Sequence, residues 1–309
     1  MPNRMAAWWP QSNEFTSRFW SGHRLDRIDS RSDTGRIVLF SDPDTLREEG
    51  IHGWEEARAA VRTLKERGIA VVLWGNETRS EMELIQSDLD LHHPFISENG
   101  AGLFVPHGYF RNPPVAGRDA HTYHVVDFGQ PYYKVAEALR DAAAKVGVDI
   151  SGFSDMSIQE VAQQCGLSLA QARLAKLREY DEPFRMLDSE PAAYSRICSA
   201  LRRLGLRCFT HETFHHASGV TDKAQSLRLL ASLYRRAHSG QVLTVGLAKR
   251  PSETCLLHAV DIPMIVQSDA ADGTRLGRKV PIARLVSASG TGAWCQAILQ
   301  LVDGQPREP

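Results

Sequence analysis

Short apolar runs alternate along this chain with segments in which apolar residues recur at helical spacing. The clearest run, residues 69–74, is continuous, as expected for a strand buried on both faces of a sheet. A helical pattern ends before it at Gly68, and a second helical segment, residues 78–89, is followed by another strand at residues 94–97. Strands separated by helices in this way predict a parallel sheet with right-handed crossovers.

The alternation is interrupted in the middle of the chain and then resumes. The elements predicted for the interruption are a strand at 121–128, helices at 132–146 and 191–204, two helices capped by Ser157 and Ser168, and strand character at 206–217. The elements predicted after it are a helix at 222–238, a strand at 242–247, a helix at 251–257, a strand at 262–267 and a helix at 292–302.

The predicted fold class is therefore α/β, with a doubly wound, Rossmann-like parallel-sheet core and an inserted α+β cap. We assign residues 35–107 and 219–303 to the core and residues 108–218 to the cap. The cap is expected to lie over the carboxyl ends of the strands, where it would exclude water and contact a substrate. Residues 1–34 are predicted to be an irregular extension rich in aromatic residues, and residues 304–309 a tail.

Composition excludes several classes of function. With 309 residues and a net charge of −1, the chain gives no support to a nucleic-acid or membrane-surface role. No apolar run is long enough to cross a bilayer. The five cysteines never form a C-x-x-C pair, so neither a disulfide framework nor a zinc site is indicated, and a cytoplasmic location is expected.

Two carboxylates follow the apolar run at residues 37–40. Asp42 and Asp44 are one residue apart at the expected carboxyl end of a strand, which is where ligands bind in open α/β sheets. Alternate strand residues share a face, so the two side chains can converge on one bound group. Such a pair requires a cation or a shared proton, and it suits a magnesium-assisted nucleophile with a neighbouring acid/base. The alternative is a strand followed by a simple Asp-Pro turn.

Seven short stretches carry a resemblance to a known family. They are Gly68-Ile-Ala-Val-Val-Leu, Thr78-Arg-Ser-Glu-Met82, Pro94-Phe-Ile-Ser-Glu-Asn-Gly100, Gly152-Phe-Ser-Asp-Met-Ser157, Arg178-Glu-Tyr-Asp-Glu-Pro-Phe184, Thr221-Asp-Lys223 and Gly292-Ala-Trp294. In these stretches the chain resembles haloacid-dehalogenase (HAD) superfamily phosphatases, and in particular the mannosyl-3-phosphoglycerate phosphatase family. The resemblance covers most of residues 36–303 and implies removal of phosphate from a glycosyl-3-phosphoglycerate through an aspartyl-phosphate.

The resemblance also implies roles for individual residues. Asp42 matches the nucleophile, Asp44 the acid/base that protonates the leaving alkoxide, and Lys223 the cation that clamps the phosphate. A solvated lysine at a helix start is the alternative for Lys223. The residues expected to bind substrate are Gly75, Asn76, Thr78, Arg79, Asp155, Arg178, Glu179 and His216. Capping and surface ion pairs are the alternative roles of Asp155, Arg178 and Glu179, and strand packing or a surface position is that of His216.

Four departures from the family pattern surround the expected site. The chain lacks a glycine after Asp44, has Thr213 in place of an arginine, and reads Gly75-Asn76-Glu77 where the family has Ser-Ser-Lys. The metal-binding aspartate of the family is replaced by Lys249, which cannot ligate magnesium while it is protonated.

These departures leave two hypotheses open. In the first, the chain is a Mg²⁺-dependent phosphatase whose metal ligands are Asp42, Asp44 and a displaced Glu253. In the second, it is a catalytically impaired relative that binds a phosphorylated ligand, or a protein partner through the aromatic extension. Lys249 and Lys223 would then supply the positive charge that magnesium normally gives.

Overall fold

The architecture is described from a computed structural model of the chain. The described residues are 36–46, 54–112, 114, 116–187, 192–211, 213–220, 222–238, 241–267, 270–287 and 291–303. The predictions for residues 1–34 and 304–309 lie outside this set. No helix of the described part is long and apolar enough to cross a membrane.

The described residues form strands and helices in the following order. The strands are β1 (Arg36–Ser41), β2 (Ala70–Leu73), β3 (Phe95–Ser97), β4 (Gly102–Pro106), β5 (Arg118–Ala120), β6 (Tyr123–Asp127), β7 (Ile150–Gly152), β8 (Asp181–Met186), β9 (Leu206–His211), β10 (Phe214–Gly219), β11 (Val242–Ala248), β12 (Ile262–Gln267) and β13 (Arg284–Ser287). The α-helices are α1 (Glu55–Glu66), α2 (Arg79–Leu89), α3 (Tyr132–Val146), α4 (Ile158–Cys165), α5 (Leu169–Ala175), α6 (Ala193–Arg203), α7 (Gln225–Ala237), α8 (Thr254–His258), α9 (Ala270–Lys279) and α10 (Thr291–Asp303).

A parallel sheet forms the centre of the molecule and confirms the predicted fold class. Its five strands lie in the order β13-β12-β11-β1-β2, and every pairing is parallel. Helices α1 and α10 contact each other on one face, while α7 packs near β11 on the other. Strand β1, which lies between β11 and β2, is buried on both faces because its apolar residues alternate between these two cores.

An antiparallel sheet of four strands, in the order β3-β4-β6-β5, adjoins the central sheet. It is connected to β2 by a parallel bridge between Trp74 and Ile96. Strands β5 and β6 fall within residues 108–218, the segment predicted to be the cap, yet β6 pairs along the whole of β4. The pairing is stabilised by Tyr123, which packs edge-on against the stacked rings of Phe95 and Phe104. We propose that the cap begins after β6, later than position 108; the other boundaries stay predictions.

The remaining antiparallel sheet, in the order β7-β8-β10-β9, forms the inserted α+β unit. Helices α3 and α6 pack on it around a core that includes Leu139, Phe184 and Ile197. Helices α4 and α5 begin with capping boxes at Ser157 and Ser168, as their sequences predict. Residues 206–217, predicted only to have strand character, form the hairpin of β9 and β10.

Candidate active site

The candidate site is at the carboxyl end of the central sheet, where β1 and β2 end side by side. The Trp74 N–H donates to the Ser41 carbonyl at 2.9 Å, so Asp42 and Gly75 follow from neighbouring strand ends. Asp42 is only 8% exposed, and its Oδ1 accepts the backbone N–H of Asp44 at 2.9 Å. The chain then forms a short 3₁₀ helix at Pro43–Leu46, with Asp44 in its first turn.

Burial raises the pKa of Asp42 well above its usual value, and nearby carboxylates raise it further. These carboxylates, in order of effect, belong to Glu77, Glu253 and Asp44, while the Arg250 guanidinium opposes them. Four acidic side chains therefore lie close enough to affect one another's charge at the end of β1. Because they repel one another, the site favours a cation or a proton among them.

Glu77 is the residue that most changes the expected site. Its Oε2 is buried and has no hydrogen-bond partner among the described residues. A Cβ placed on Gly75 would lie 2.0 Å from this oxygen and 3.2 Å from Asp42 Oδ2. Glycine at position 75 therefore leaves the space that the Glu77 carboxylate occupies beside Asp42. Burial, with Asp44 as the next cause, raises the pKa of Glu77 to about 8.

Asp44 and Glu253 each have a partner of their own. The Arg250 guanidinium approaches Asp44 Oδ2 at 3.3 and 3.4 Å. Glu253 Oε2 accepts the backbone N–H of Lys249 at 2.7 Å and the Thr45 hydroxyl at 3.4 Å. Burial raises the pKa of Glu253 in spite of these donors. The Lys249 side chain is itself buried at this end of β11.

The predicted magnesium ligands Asp42, Asp44 and Glu253 do not fit as a set, because the latter two are engaged with Arg250 and Lys249. Among the described residues no three His, Cys, Asp or Glu side chains are arranged to hold a metal ion. Magnesium, however, commonly takes one or two carboxylates and completes its shell with water and substrate phosphate. Asp42 and Glu77 meet that smaller requirement, since Glu77 has an unsatisfied buried oxygen facing the space above Gly75.

Lys223 lies close to the start of α7, where its ammonium is partly buried rather than solvated. It donates to Asn99 Oδ1 at 2.9 Å and lies 4.6 Å from the centroid of the Phe209 ring. Asn99 in turn donates to Asn76 Oδ1 at 2.6 Å. Burial lowers the pKa of Lys223, and Arg207 lowers it further, while Cys255 and Asp181 raise it. The clamp predicted for phosphate thus lies in an amide-lined group next to Gly75.

Arg178 connects the inserted unit to the hydrogen-bonded group of Lys223, Asn99 and Asn76. Its guanidinium donates to the backbone carbonyl of Asn76 at 2.9 Å, forms a close ion pair with Asp181, and lies 3.6 Å from Glu98 Oε2. Asp181 also contacts His216 Nδ1 at 2.9 Å. Burial alone would raise the pKa of Asp181, but Arg178 and His216 together lower it to about 2.

The other predicted substrate-binding residues have mainly structural contacts. Thr78 caps α2 with a capping box and donates to the Leu174 carbonyl at 3.1 Å. The Arg79 Nε donates to Glu179 Oε1 at 2.8 Å, so these two satisfy each other. Asp155 lies on the turn after β7, where it accepts the Gly152 N–H and faces Arg140. No contact in the described part brings Asp155 to Asp42, and its role in binding stays a prediction.

Several residues of the site were not singled out from the sequence. Asn99 lies in the Glu98-Asn-Gly turn between β3 and β4, which orients its side chain toward Lys223. Both Glu98 and Asn99 have positive φ angles, 45° and 58°. Gly100 packs there against the backbone of Lys223, since a Cβ would lie 2.7 Å from its carbonyl oxygen. Only the turn composition in the sequence points to this arrangement.

Comparison with known proteins identifies the family. The chain is 34% identical over 271 residues to the glucosyl-3-phosphoglycerate/mannosyl-3-phosphoglycerate phosphatase of Methanococcoides burtonii, covering 86% of this chain and 97% of that protein. The chain belongs to this phosphatase family. A phosphatase of the same description from Persephonella marina is 28% identical over 232 residues, covering 74% of this chain and 84% of that protein. The chain matches no protein-family profile.

Solved structures of the family's wider superfamily share the fold. A phosphatase of the haloalkanoate (HAD) enzyme superfamily from Bacteroides thetaiotaomicron aligns with a TM-score of 0.57 at 13% identity, covering 90% of this chain and 98% of that chain. A HAD subclass IIB sugar phosphatase aligns with a TM-score of 0.57 at 10% identity, covering 86% and 98%. At these identities the likeness concerns the fold, and it confirms the HAD-like parallel sheet with an additional antiparallel unit.

Proposed function

We propose that the protein is a phosphoric monoester hydrolase that removes phosphate from a glucosyl- or mannosyl-3-phosphoglycerate. The observation that carries the proposal is the position of Asp42, a buried carboxylate at the carboxyl end of β1, with Asp44 beside it. The relatives with glucosyl- and mannosyl-3-phosphoglycerate phosphatase names support the same class of substrate.

Asp42 would act as the nucleophile. One carboxylate oxygen attacks phosphorus while the ester P–O bond breaks, and Asp44 gives a proton to the departing sugar-glycerate alkoxide. Asp44 then accepts a proton from water as the water attacks the aspartyl-phosphate, which releases inorganic phosphate and restores Asp42. Arg250 approaches Asp44 at 3.3 Å and is suited to hold that side chain in place through both steps.

Lys223 would neutralise the phosphoryl oxygens. Its partners Asn99 and Phe209 carry no net charge, so the ammonium keeps its charge available for an anion. The Gly75 N–H donates to the Ile96 carbonyl at 3.2 Å, so the Asn76 backbone is the part of this segment that can supply an N–H group. Arg178 is bonded to the Asn76 carbonyl and would fix that segment rather than bind substrate itself.

Asp42 and Glu77 are the residues that would hold magnesium. The ion, when bound, supplies positive charge that offsets the repulsion between these carboxylates and the phosphate dianion. Lys249 replaces the usual ligand and brings a cation to the same strand end.

With free thiols at all five cysteines, a cytoplasmic location remains our proposal.

The second candidate is a binding protein for phosphorylated ligands that has lost catalysis. The observation that favours it is the cationic pair Lys249 and Arg250 at the carboxyl end of β11. The Arg250 guanidinium there pairs with the Asp44 carboxylate. In that case the site would bind a phosphorylated sugar acid without cleaving it. A protein partner bound through residues 1–34 belongs to the same alternative.

The deciding experiment measures phosphate release from mannosyl- and glucosyl-3-phosphoglycerate, with and without magnesium, for the native chain and for Asp42→Asn. We expect release that requires Asp42, because Asp42 is the proposed nucleophile and asparagine cannot form the aspartyl-phosphate. Thermal shift with both substrates is recorded in parallel. A substrate-dependent rise in Tm without any release would overturn the phosphatase and support the binding protein.

A further inference from the structure

Seven residues form a closed ring of contacts between the central sheet and the inserted unit. In order they are Lys223, Asn99, Asn76, Arg178, Asp181, His216 and Phe209, and Phe209 returns to Lys223. Three of them belong to the site side and four to the inserted unit. The ring therefore passes from one to the other twice, once at Arg178 and once at Phe209.

The site half of the ring consists of amide contacts. Lys223 Nζ donates to Asn99 Oδ1 at 2.9 Å, and Asn99 Nδ2 donates to Asn76 Oδ1 at 2.6 Å. Arg178 completes this half by donating to the Asn76 carbonyl at 2.9 Å. These bonds fix the position of Lys223 relative to the end of β2.

The other half runs through a buried ion network to an aromatic ring. Asp181 bridges Arg178 and His216, and its side chain is 1% exposed. The His216 ring stacks on Phe209 with centroids 5.0 Å apart and planes 11° apart. Asp181 fixes the His216 ring, and the His216 ring stacks on Phe209. The orientation of the Phe209 ring toward Lys223 is therefore fixed as well.

Phe209 is suited to hold a cation that must bind a phosphate. A carboxylate next to Lys223 would neutralise the ammonium and compete with the substrate, whereas a ring face attracts it without adding a charge. Phe209 is only half-buried, so its main described contacts are His216, Arg207 and Lys223 rather than an apolar core. This placement is not what packing alone would favour for a phenylalanine.

We propose that Phe209 is a positioning residue for Lys223, through which docking of the inserted unit sets the orientation of the phosphate-binding ammonium. The inference rests on the proposed phosphatase function for its kinetic consequence, but the contact itself does not. It predicts that removal of the ring face weakens the action of Lys223 although no group that touches substrate has changed.

The test uses three variants of the full chain. Phe209→Leu removes the ring face and keeps an apolar side chain, while Phe209→Trp restores an aromatic face. Phe214→Leu is the matched control, because Phe214 on the neighbouring strand has Arg185 5.5 Å from its ring centroid and does not contact Lys223. We expect kcat to fall about fivefold in Phe209→Leu with KM nearly unchanged, to recover in Phe209→Trp, and to stay native in Phe214→Leu.

A second measurement does not require turnover. Lysines are reductively ¹³C-methylated, and the Lys223 signal is assigned by its absence in Lys223→Arg. The chemical shift of this signal is then compared between the native chain and Phe209→Leu. We expect a ring-current shift that disappears in Phe209→Leu and remains in Phe214→Leu. An unshifted Lys223 signal in the native chain, or equal kinetic losses in Phe209→Leu, Phe209→Trp and Phe214→Leu, would overturn the proposal. A ring-current shift in a chain that releases no phosphate would instead overturn only the proposed phosphatase.

Discussion

The carboxylates of Glu77 and Asp42 border the same point in space, the position that a side chain on Gly75 would occupy. A Cβ there would lie 2.0 Å from Glu77 Oε2 and 3.2 Å from Asp42 Oδ2. The identity of residue 75 thus decides whether a second carboxylate can stand beside the nucleophile. Since Glu77 Oε2 is otherwise unsatisfied, this relation gives the site its clearest means of holding a cation.

Gly75→Ala is therefore expected to displace the Glu77 carboxylate and to weaken magnesium binding at least tenfold. The new methyl group overlaps the end of the flexible Glu77 side chain, which can rotate away, so the free energy of unfolding should change little while the carboxylate leaves the site. Calorimetric titration with magnesium measures the binding, and chemical denaturation measures the stability. Gly277→Ala serves as the control, because a Cβ at this helical position meets no atom within 4 Å. Unchanged magnesium affinity in Gly75→Ala would exclude Glu77 as a ligand.

Arg250→Ala is expected to lower kcat about tenfold on a substrate with a poor leaving group. Arg250 approaches Asp44 Oδ2 at 3.3 and 3.4 Å, and its loss would free the proposed acid/base from its position. The loss should shrink on p-nitrophenyl phosphate, whose leaving group departs without protonation. Arg235→Ala, which removes a surface pair with Asp261, should leave both activities unchanged. An equal loss on both substrates would instead assign Arg250 to phosphate binding.

Asp181→Asn is expected to lower the free energy of unfolding by about 3 kcal/mol at neutral pH, because it leaves Arg178 and His216 without their shared buried carboxylate. The folded pKa of Asp181, about 2, is below the ordinary value of 3.8. Its ionisation therefore contributes about 2 kcal/mol to the free energy of unfolding above pH 4, and this contribution is lost as the pH falls toward 2.

Chemical denaturation of the native chain and of Asp181→Asn across pH 3–7 measures this contribution. The difference in the free energy of unfolding between the two chains should narrow as the pH falls. Asp90→Asn, at an exposed surface pair with Lys65, should track the native chain. A difference that is constant with pH would mean that the Asp181 pKa is not lowered by folding.

How far the sequence predicts this structure depends on the range of the interactions involved. The alternation of apolar runs and helical spacing predicts the parallel sheet, and Ser157 and Ser168 predict helix starts, because these signals are local in the chain. The pairing of β6 with β4 was not predicted, since antiparallel partners are chosen by side-chain packing across the sheet. Helix α9 and strand β13 were also missed, because Gly273 and Gly277 lower the helix propensity of the first and the second has only four residues.

The candidate site also separates into features that follow from local sequence and features that depend on long-range contacts. The positions of Asp42 and Asp44 follow from the end of a strand, and the family resemblance added Lys223. The contact of Glu253 with the Thr45 hydroxyl, and the approach of Glu77 to Asp42, depend on segments that are distant in the chain. A sequence pattern can name the carboxylates but cannot say which of them is satisfied by a neighbouring backbone group.

Glu98→Gln is expected to loosen the segment that leads from the site into β8. The Glu98 carboxylate accepts the backbone N–H groups of Glu179, Tyr180 and Asp181, at 2.8, 2.9 and 2.9 Å. A glutamine keeps the shape but turns an NH₂ group toward donors and removes the charge that faces Arg178, so at least one bond is lost. Hydrogen exchange at these three amides should accelerate at least tenfold, while amides within β11 stay protected. Glu81→Gln provides the control, because it changes a carboxylate in a helix capping box without contacting this segment. Equal exchange in the native chain and Glu98→Gln would show that the segment is held by packing rather than by the carboxylate.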